Sequence, residues 1–143
     1  MKYSFPYLGN VMVYKKLLEM LGHEVIVPPR PTQKTIDLGT KHSPEFACFP
    51  YKVLMGNYIE ACERGAEIIV SSGGHGPCRA GFYGELHERT LHQIGYDVEV
   101  IIFDSVKRDL KGDISKFLKI KGKTSFAKVI GVARIVLTML KDL

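Results

Sequence analysis

Two spacings of apolar residues alternate along the chain, one typical of buried strands and the other of helices. The strand-like runs are Lys2–Phe5, Glu24–Val27, Glu67–Ser71 and Asp97–Phe103. The runs with helical spacing are Val11–Leu21, Thr35–Leu38, Tyr51–Arg64 and a stretch from about Cys78 to His92 or Gln93. Strands that alternate with helices in this way are typical of a parallel sheet covered on both faces. The pattern predicts an α/β fold, a Rossmann-like parallel sheet of about four strands with helices on both faces.

Glycines follow the helical runs where left-handed backbone would end a helix. Gly22, Gly39, Gly65 and Gly95 are therefore predicted to terminate the four helices in turn. Beyond Asp104 the chain becomes lysine-rich, and Ser125–Leu143 carries a wide apolar stripe at helical spacing. Such a stripe needs a partner surface. We expect a lobe over residues 1–104 and a basic linker with a C-terminal amphipathic helix over residues 105–143.

Charge is distributed unevenly between these two parts. Residues 107–143 hold ten Lys and Arg against three Asp and Glu, a net charge of +7, whereas the rest of the chain has a net charge of −2. This basic segment indicates a solvated face or contact with phosphate-bearing ligands or an acidic partner. No aromatic interleaving or nucleic-acid motif accompanies it, so nucleic acid is not an expected partner.

The overall composition and the lengths of the apolar runs indicate the class of protein. Hydrophobic residues make up 45% and charged residues 24%, as in globular domains rather than disordered chains. No apolar run approaches the roughly 20 residues that span a bilayer, so no membrane association is expected. The N-terminal residues lack the apolar stretch of a secretory signal, which predicts a cytoplasmic protein.

The three cysteines occupy different kinds of position. Cys62 lies on the apolar stripe of a predicted helix and is expected in the core. Cys48 and Cys78 each lie at the start of a predicted helix with a proline within two residues, at the carboxyl edge of the predicted sheet. A helix N-terminus favours the thiolate, the form that binds metal. Spacing alone leaves metal ligation and plain burial both open for these two cysteines, and no C-x-x-C motif is present.

A glycine-rich turn joins the third predicted strand to the helix that follows. Gly74 and Gly76 would let the backbone come close to a bulky ligand, and Pro77 would stiffen the approach. Arg79 is either an anion-binding side chain or an ordinary surface arginine. The turn is neither G-x-G-x-x-G nor a phosphate-binding loop, so nucleotide binding has weak support. Further along, Glu85, His87, Glu88 and His92 indicate either a metal site or, as the favoured interpretation, a solvated helix face.

Several segments together resemble one family. They are Leu21–Val25, Pro28-Pro29, Thr35 with Leu38-Gly39, Ser43–Cys48 with Lys52 and Gly56-Asn57, and Gly76–Tyr83. This combination resembles the acyl-CoA dehydratase activase-related proteins, kin of the iron–sulfur subunits of 2-hydroxyacyl-CoA dehydratases and benzoyl-CoA reductases. The resemblance covers roughly residues 1–104, which correspond to an N-terminal lobe only.

The resemblance implies a cofactor, partners and site residues. Cys48 and Cys78 would be two ligands of a [4Fe–4S] cluster, and Gly76, Pro77 and Arg79 would form the turn beside it. An ATP-dependent activator protein would deliver a low-potential electron for reductive or radical chemistry on an acyl-CoA or other small molecule. Family members are usually more than twice this length, so a second lobe or a homodimer would supply the remaining ligands. An active protein would be a 2-hydroxyacyl-CoA dehydratase-like lyase or an ATP-dependent reductase component.

A different class of function is also compatible with these residues. In this alternative the chain is a non-catalytic CoA- or nucleotide-binding domain, or a domain that docks an activator. Its cysteines are then buried side chains, and no cluster is bound.

Overall fold

A computed structural model describes residues 1–73, 79–103 and 110–122, together with positions 125, 127, 129–131, 134 and 138. In these ranges four strands form one parallel sheet, in the spatial order β2-β1-β3-β4. The strands are β1 (Lys2–Ser4), β2 (Glu24–Val25), β3 (Ile68–Ser72) and β4 (Glu99–Phe103). Tyr3 pairs with Val25 on one side and with Ile68 on the other, so β1 lies inside the sheet.

Helices connect the strands and cover both faces of the sheet. They are α1 (Val11–Met20), α2 (Gln33–His42), α3 (Phe49–Glu63), a 3-10 helix (Arg79–Phe82), α4 (Tyr83–Gln93) and α5 (Leu110–Lys121). The predicted α/β class, with a parallel sheet of four strands flanked by helices, is confirmed.

Three of the predicted helix ends are confirmed by backbone geometry. Gly22, Gly65 and Gly95 follow α1, α3 and α4 with φ of +88°, +90° and +98°. A residue with a Cβ is strained in this left-handed region, which is why glycine stands at each end.

The fourth predicted end, at Gly39, is wrong. Gly39 lies inside α2, which continues to His42. A Cβ on Gly39 would lie 1.7 Å from the Lys52 carbonyl oxygen, and a Cβ on Gly56 would lie 1.8 Å from the Thr35 carbonyl oxygen. Glycine is therefore required at this point because the backbones of α2 and α3 touch, not because α2 ends.

Two cores lie on opposite faces of the sheet. The α3-side core contains side chains of α3 and α4 packed on the sheet: Tyr51, Met55, Tyr58, Ile59, Cys62, Ile69, Leu91, Val98 and Val100. The α1-side core contains Tyr3, Phe5, Leu18, Leu21, Ile68, Ile101, Ile120 and Val129. Consecutive residues such as Ile68 and Ile69 enter different cores because strand side chains alternate between faces.

The C-terminal segment contributes to the α1-side core. Ile120 of α5 is buried there, and so is Val129, which is 9% exposed, while the neighbouring Ile130 is 68% exposed. Packing against this lobe, as predicted for the apolar stripe, is thus seen at Val129. Most of the other stripe residues lie outside the described ranges, and the division at residue 104 stays a prediction. No helix in the described ranges is both long and apolar enough to cross a membrane.

Candidate functional site

The candidate site lies at the carboxyl edge of the parallel sheet. In open α/β sheets, ligands bind beyond the carboxyl ends of the strands, where the chain leaves neighbouring strands toward opposite faces. Here β1 and β3 are neighbours; α1 follows β1 on one face, and α4 follows β3 on the other. Since α3 precedes β3 and returns the chain to the start of that strand, its N-terminus lies at this edge. Cys48, the N-cap of α3, is therefore at the predicted edge.

The local sequence explains why α3 begins just after Cys48. Pro44 accepts a backbone hydrogen bond from Ala47 in a turn, at 3.0 Å. Cys48 has extended backbone, with φ −68° and ψ 160°, and Pro50 occupies the first helical turn. Proline suits this turn because an N–H there has no partner within the helix. The result is a half-buried thiol at the start of a 15-residue helix.

Tyr83 brings α4 into contact with Cys48. The Tyr83 hydroxyl and the Cys48 sulfur form a hydrogen bond. Tyr83 is the first residue of α4, and its ring packs edge-on against Tyr51 of α3, with centroids 5.0 Å apart. Sequence reasoning missed this residue. The available signal was an aromatic residue at the start of the helix that follows the glycine-rich turn.

His87 is fully buried beneath these rings, with 0% exposure. It stacks on Tyr51 at a centroid distance of 4.0 Å and contacts Tyr58 edge-on at 5.0 Å. Its Nε2 donates a hydrogen bond to the Tyr51 carbonyl oxygen at 3.1 Å, while its buried Nδ1 has no partner. Burial lowers the pKa of His87 to about 4, and the carbonyl bond acts in the opposite direction. The imidazole is therefore neutral near pH 7.

Cys62 lies near the other end of α3, in the α3-side core. Its predicted core position is confirmed. Burial raises the pKa of the Cys62 thiol to about 12, so the side chain stays protonated at physiological pH. A buried, protonated thiol behaves as a small apolar side chain rather than as a metal ligand.

The acidic and histidine side chains of α4 do not form a metal site. Glu85 pairs with Arg89 at 2.7 Å, Glu88 accepts the Val100 N–H at 3.0 Å, and the His92 ring hydrogen-bonds the Val98 carbonyl. Throughout the described part of the chain, no three His, Cys, Asp or Glu residues group closely enough to hold a metal ion. The favoured interpretation, a solvated face, is also wrong for His87, because this side of α4 packs against α3.

The glycine-rich turn falls largely outside the described residues. Gly74, Gly76, Pro77 and Cys78, together with His75, lie in the undescribed residues 74–78. Arg79 begins the 3-10 helix, and only its backbone is described. The convergence of Cys78 with Cys48 therefore stays a prediction. Chain connectivity places the ends of this segment at Gly73, just after β3, and at Arg79, four residues before Tyr83.

An apolar groove of about 250 Å³ adjoins the Cys48 end of α3. Its lining residues come from the loop after β1, the loop before α2 and the first turns of α3: Tyr7, Leu8, Pro31, Phe49, Pro50, Val53, Leu54 and Asn57. The Asn57 side chain accepts the Tyr7 N–H at 2.7 Å and donates to the Pro29 carbonyl at 3.1 Å. Both polar groups of this amide are therefore engaged by the backbone of two loops. The groove offers a ligand mainly apolar contact.

Comparison with protein-family models gives a match over the N-terminal portion of the chain. Residues 1–70 match the family model described as "CoA enzyme activase uncharacterised domain (DUF2229)". This portion fits the acyl-CoA dehydratase activase-related family. The matched portion runs from β1 into β3 and includes Cys48 and Cys62, whereas Cys78 and Tyr83 follow it. No curated protein and no solved structure matches the chain.

Proposed function

We propose that this lobe contributes the thiolates of Cys48 and Cys78 to a [4Fe–4S] cluster. The cluster would serve low-potential electron transfer or reductive chemistry on an acyl-CoA or another small molecule. The observation that carries the proposal is the place of Cys48: a half-buried thiol at a helix N-terminus, on the ligand-binding edge of a parallel sheet. The residue that Cys48 contacts, Tyr83, begins the helix just beyond the segment that contains Cys78.

The chemistry of the residues present agrees with such a cluster in part. Iron–sulfur clusters are held by cysteine thiolates, and burial and hydrogen bonds to the sulfurs adjust their potential. Cys48 offers a sulfur that already has a hydroxyl neighbour and packs against the α3-side core. When bound, the cluster would supply one-electron redox chemistry. The chain's own residues would hold one side of it and keep water away with the rings of Tyr51 and Tyr83.

Two thiolates do not complete a cubane, which usually takes three or four protein thiolates. Cys62 is not available as a third ligand, because burial raises its pKa to about 12. The proposal therefore includes a second lobe or a second copy of the chain that supplies the remaining ligands.

The matched family description supports an enzyme partner, since it names a CoA enzyme activase domain. In our proposal that partner system includes an ATP-dependent activator protein in the cytoplasm. The assembled protein would act as a 2-hydroxyacyl-CoA dehydratase-like lyase or as a reductase component.

The apolar groove favours a second candidate function, a non-catalytic CoA- or nucleotide-binding or activator-docking domain. Its volume of about 250 Å³ would accept part of a small molecule without any use of the thiols. Replacement of Val53 by Trp would fill this groove. Loss of CoA binding in that variant, with CoA binding retained in Cys48→Ala, would support this candidate over the cluster.

Anaerobic reconstitution with iron and sulfide tests the cluster directly. We expect the wild-type chain to bind iron and acid-labile sulfide, and Cys48→Ala and Cys78→Ala to lose them, because alanine offers no ligand. Cys62→Ala is the matched control and should retain the wild-type iron content. Equal loss in all three variants would make Cys62 a ligand and overturn our assignment. No loss in any variant would reject the cluster.

A further inference from the structure

We propose that the apolar groove beside the first turns of α3 binds a medium-chain aliphatic carboxylate, with the hydrocarbon chain in the groove and the carboxylate on Arg30. The proposal does not depend on the cluster, because none of the residues that line the groove is a cysteine. It gives the groove a ligand that differs from the CoA or nucleotide of the second candidate function.

The walls of the groove offer a ligand no charge. Leu8, Val53 and Leu54 are aliphatic, and Phe49 adds an aromatic ring. The amide of Asn57 is buried, with 1% exposure, and is already bonded to the backbone of both loops. Water in such a groove finds few hydrogen-bond partners, whereas a hydrocarbon chain gains contact with the walls.

Prolines and the Asn57 amide hold the groove in shape before a ligand enters. Pro31 and Pro50 form part of its walls, and the Pro29 carbonyl accepts a hydrogen bond from Asn57 at 3.1 Å. Because proline fixes φ, the loop before α2 has few alternative conformations. A preformed groove loses little conformational freedom on binding, which favours a small ligand.

A guanidinium group lies at the edge of the groove. Arg30 precedes the lining residue Pro31, and its Nε donates a hydrogen bond to the hydroxyl of Tyr7, another lining residue, at 3.1 Å. Among the residues that the structure describes, no carboxylate forms an ion pair with Arg30, whereas Lys34 pairs with Glu63 at 3.2 Å. The bond to Tyr7 uses only one of the five N–H donors of the arginine. The Nη end of the guanidinium suits a carboxylate, which it can bind with two parallel hydrogen bonds.

The position of this charge selects the class of ligand. Because Arg30 is held against a residue that lines the groove, the anionic group of the ligand must lie at the end of its hydrocarbon chain. A free carboxylate meets this condition. In an acyl-CoA the thioester at that end of the chain is uncharged, and the phosphates lie beyond the long pantetheine arm.

The volume of the groove indicates the length of the chain. An apolar cavity of about 150 Å³ holds benzene, a six-carbon ring. In proportion, a groove of about 250 Å³ holds a chain of roughly ten carbon atoms. Each further CH₂ should raise the affinity about fourfold until the groove is full.

The test is a titration of the isotope-labelled native chain with sodium octanoate, followed by NMR. We expect saturable shifts centred on the backbone amides of Tyr7 and Val53 and on the side-chain amide of Asn57. The affinity should rise about fourfold per CH₂ from butanoate through hexanoate to octanoate. Shifts spread over the whole surface, or an affinity that does not depend on chain length, would overturn the proposal.

The role of the charge is tested with two matched variants. Arg30→Gln should weaken octanoate binding about tenfold and leave the binding of octan-1-ol unchanged, because the alcohol has no carboxylate. Lys34→Gln is the control, since this lysine is engaged by Glu63, and it should bind octanoate as the wild type does. Equal octanoate affinity in Arg30→Gln and the wild type would overturn the proposal.

The groove itself is tested by filling it and by removing one wall. Val53→Trp should abolish octanoate binding, and its thermal melting curve shows whether it folds. Phe49→Ala, at a position with 60% exposure, is a second variant that should weaken binding without a change in the core. Unchanged binding in Phe49→Ala and in a folded Val53→Trp would overturn the proposal.

Octanoyl-CoA separates this proposal from the second candidate function. We expect it to shift the groove residues no more strongly than octanoate does, because its thioester cannot pair with Arg30. A much higher affinity of octanoyl-CoA at the same residues would overturn the proposal in favour of a CoA-binding domain. The assay contains no iron, so failure of the cluster and failure of this proposal are observed separately.

Discussion

Cys48 and Cys62 lie on one helix and have opposite surroundings. Cys48 is the N-cap of α3, half-buried at the carboxyl edge of the sheet, with a hydroxyl group at its sulfur. Cys62 lies in the last turn of the same helix, within the α3-side core, where burial raises its pKa to about 12. The difference shows that position in the fold gives two thiols of one helix distinct surroundings: Cys62 stays protonated in the core, whereas Cys48 lies at the edge of the sheet.

The largest effect that we predict is in reactivity. At pH 8 a thiol with a pKa of about 12 is thiolate in roughly one molecule in ten thousand, and its burial also blocks the reagent. In the native chain Cys48 should therefore react with iodoacetamide at least about a thousandfold faster than Cys62, by mass spectrometry of their peptides. Denaturant should bring the two rates together. Similar rates in the native chain would abolish the distinction between the two ends of α3.

The contact between α2 and α3 holds the helix on which both cysteines lie. Gly56→Ala would place a Cβ 1.8 Å from the Thr35 carbonyl oxygen, so the two helices must separate. We expect the free energy of unfolding to fall by about 3 kcal/mol or more, measured by chemical denaturation. In the folded fraction, Cys62 should become reactive as α3 loosens. Gly131→Ala is the control, because a Cβ at that exposed position meets nothing within 4 Å. Equal stability of the two variants would contradict this account of the contact.

Acid should weaken the packing of α3 against α4 through His87. The pKa of His87 is lowered from 6.5 to about 4 in the folded chain, so the unfolded chain binds more protons between these values. The stability that comes from the neutral imidazole is fully present above about pH 6.5 and is lost as the pH falls toward 4. The loss is about 3 kcal/mol over this window. Denaturation curves should show this slope in the wild type and a flatter one in His87→Gln. The same slope in both would contradict the assignment to His87.

Local sequence patterns predicted the elements of the fold. Glycines at helix ends and strand-like runs between helices are properties of neighbouring residues, so Gly22, Gly65 and the four strands were found without a structure. The error at Gly39 has a different origin. Its role depends on Lys52 and Gly56, which belong to another helix and meet Gly39 only after folding.

Only part of the candidate site was predicted, because local patterns do not report contacts between residues that are distant in sequence. Proline and helix position singled out Cys48, and helical spacing placed Cys62 in the core. The hydrogen bond between Tyr83 and Cys48 and the burial of His87 were missed. Tyr83 is 35 residues from Cys48, and His87 is 36 residues from Tyr51, so no local pattern reports these contacts.

We propose that Cys48 and Cys78 act on one ligand at the carboxyl edge of the sheet and that Cys62 does not. The most direct measurement uses dibromobimane, which alkylates two neighbouring thiols and links them, on the native, reduced chain at low concentration. We predict a linked species that joins tryptic peptide 42–52, which carries Cys48, to peptide 65–79, which carries Cys78, within a single chain. A chain in which these cysteines are only singly alkylated, or in which Cys62 forms the link, would contradict the account.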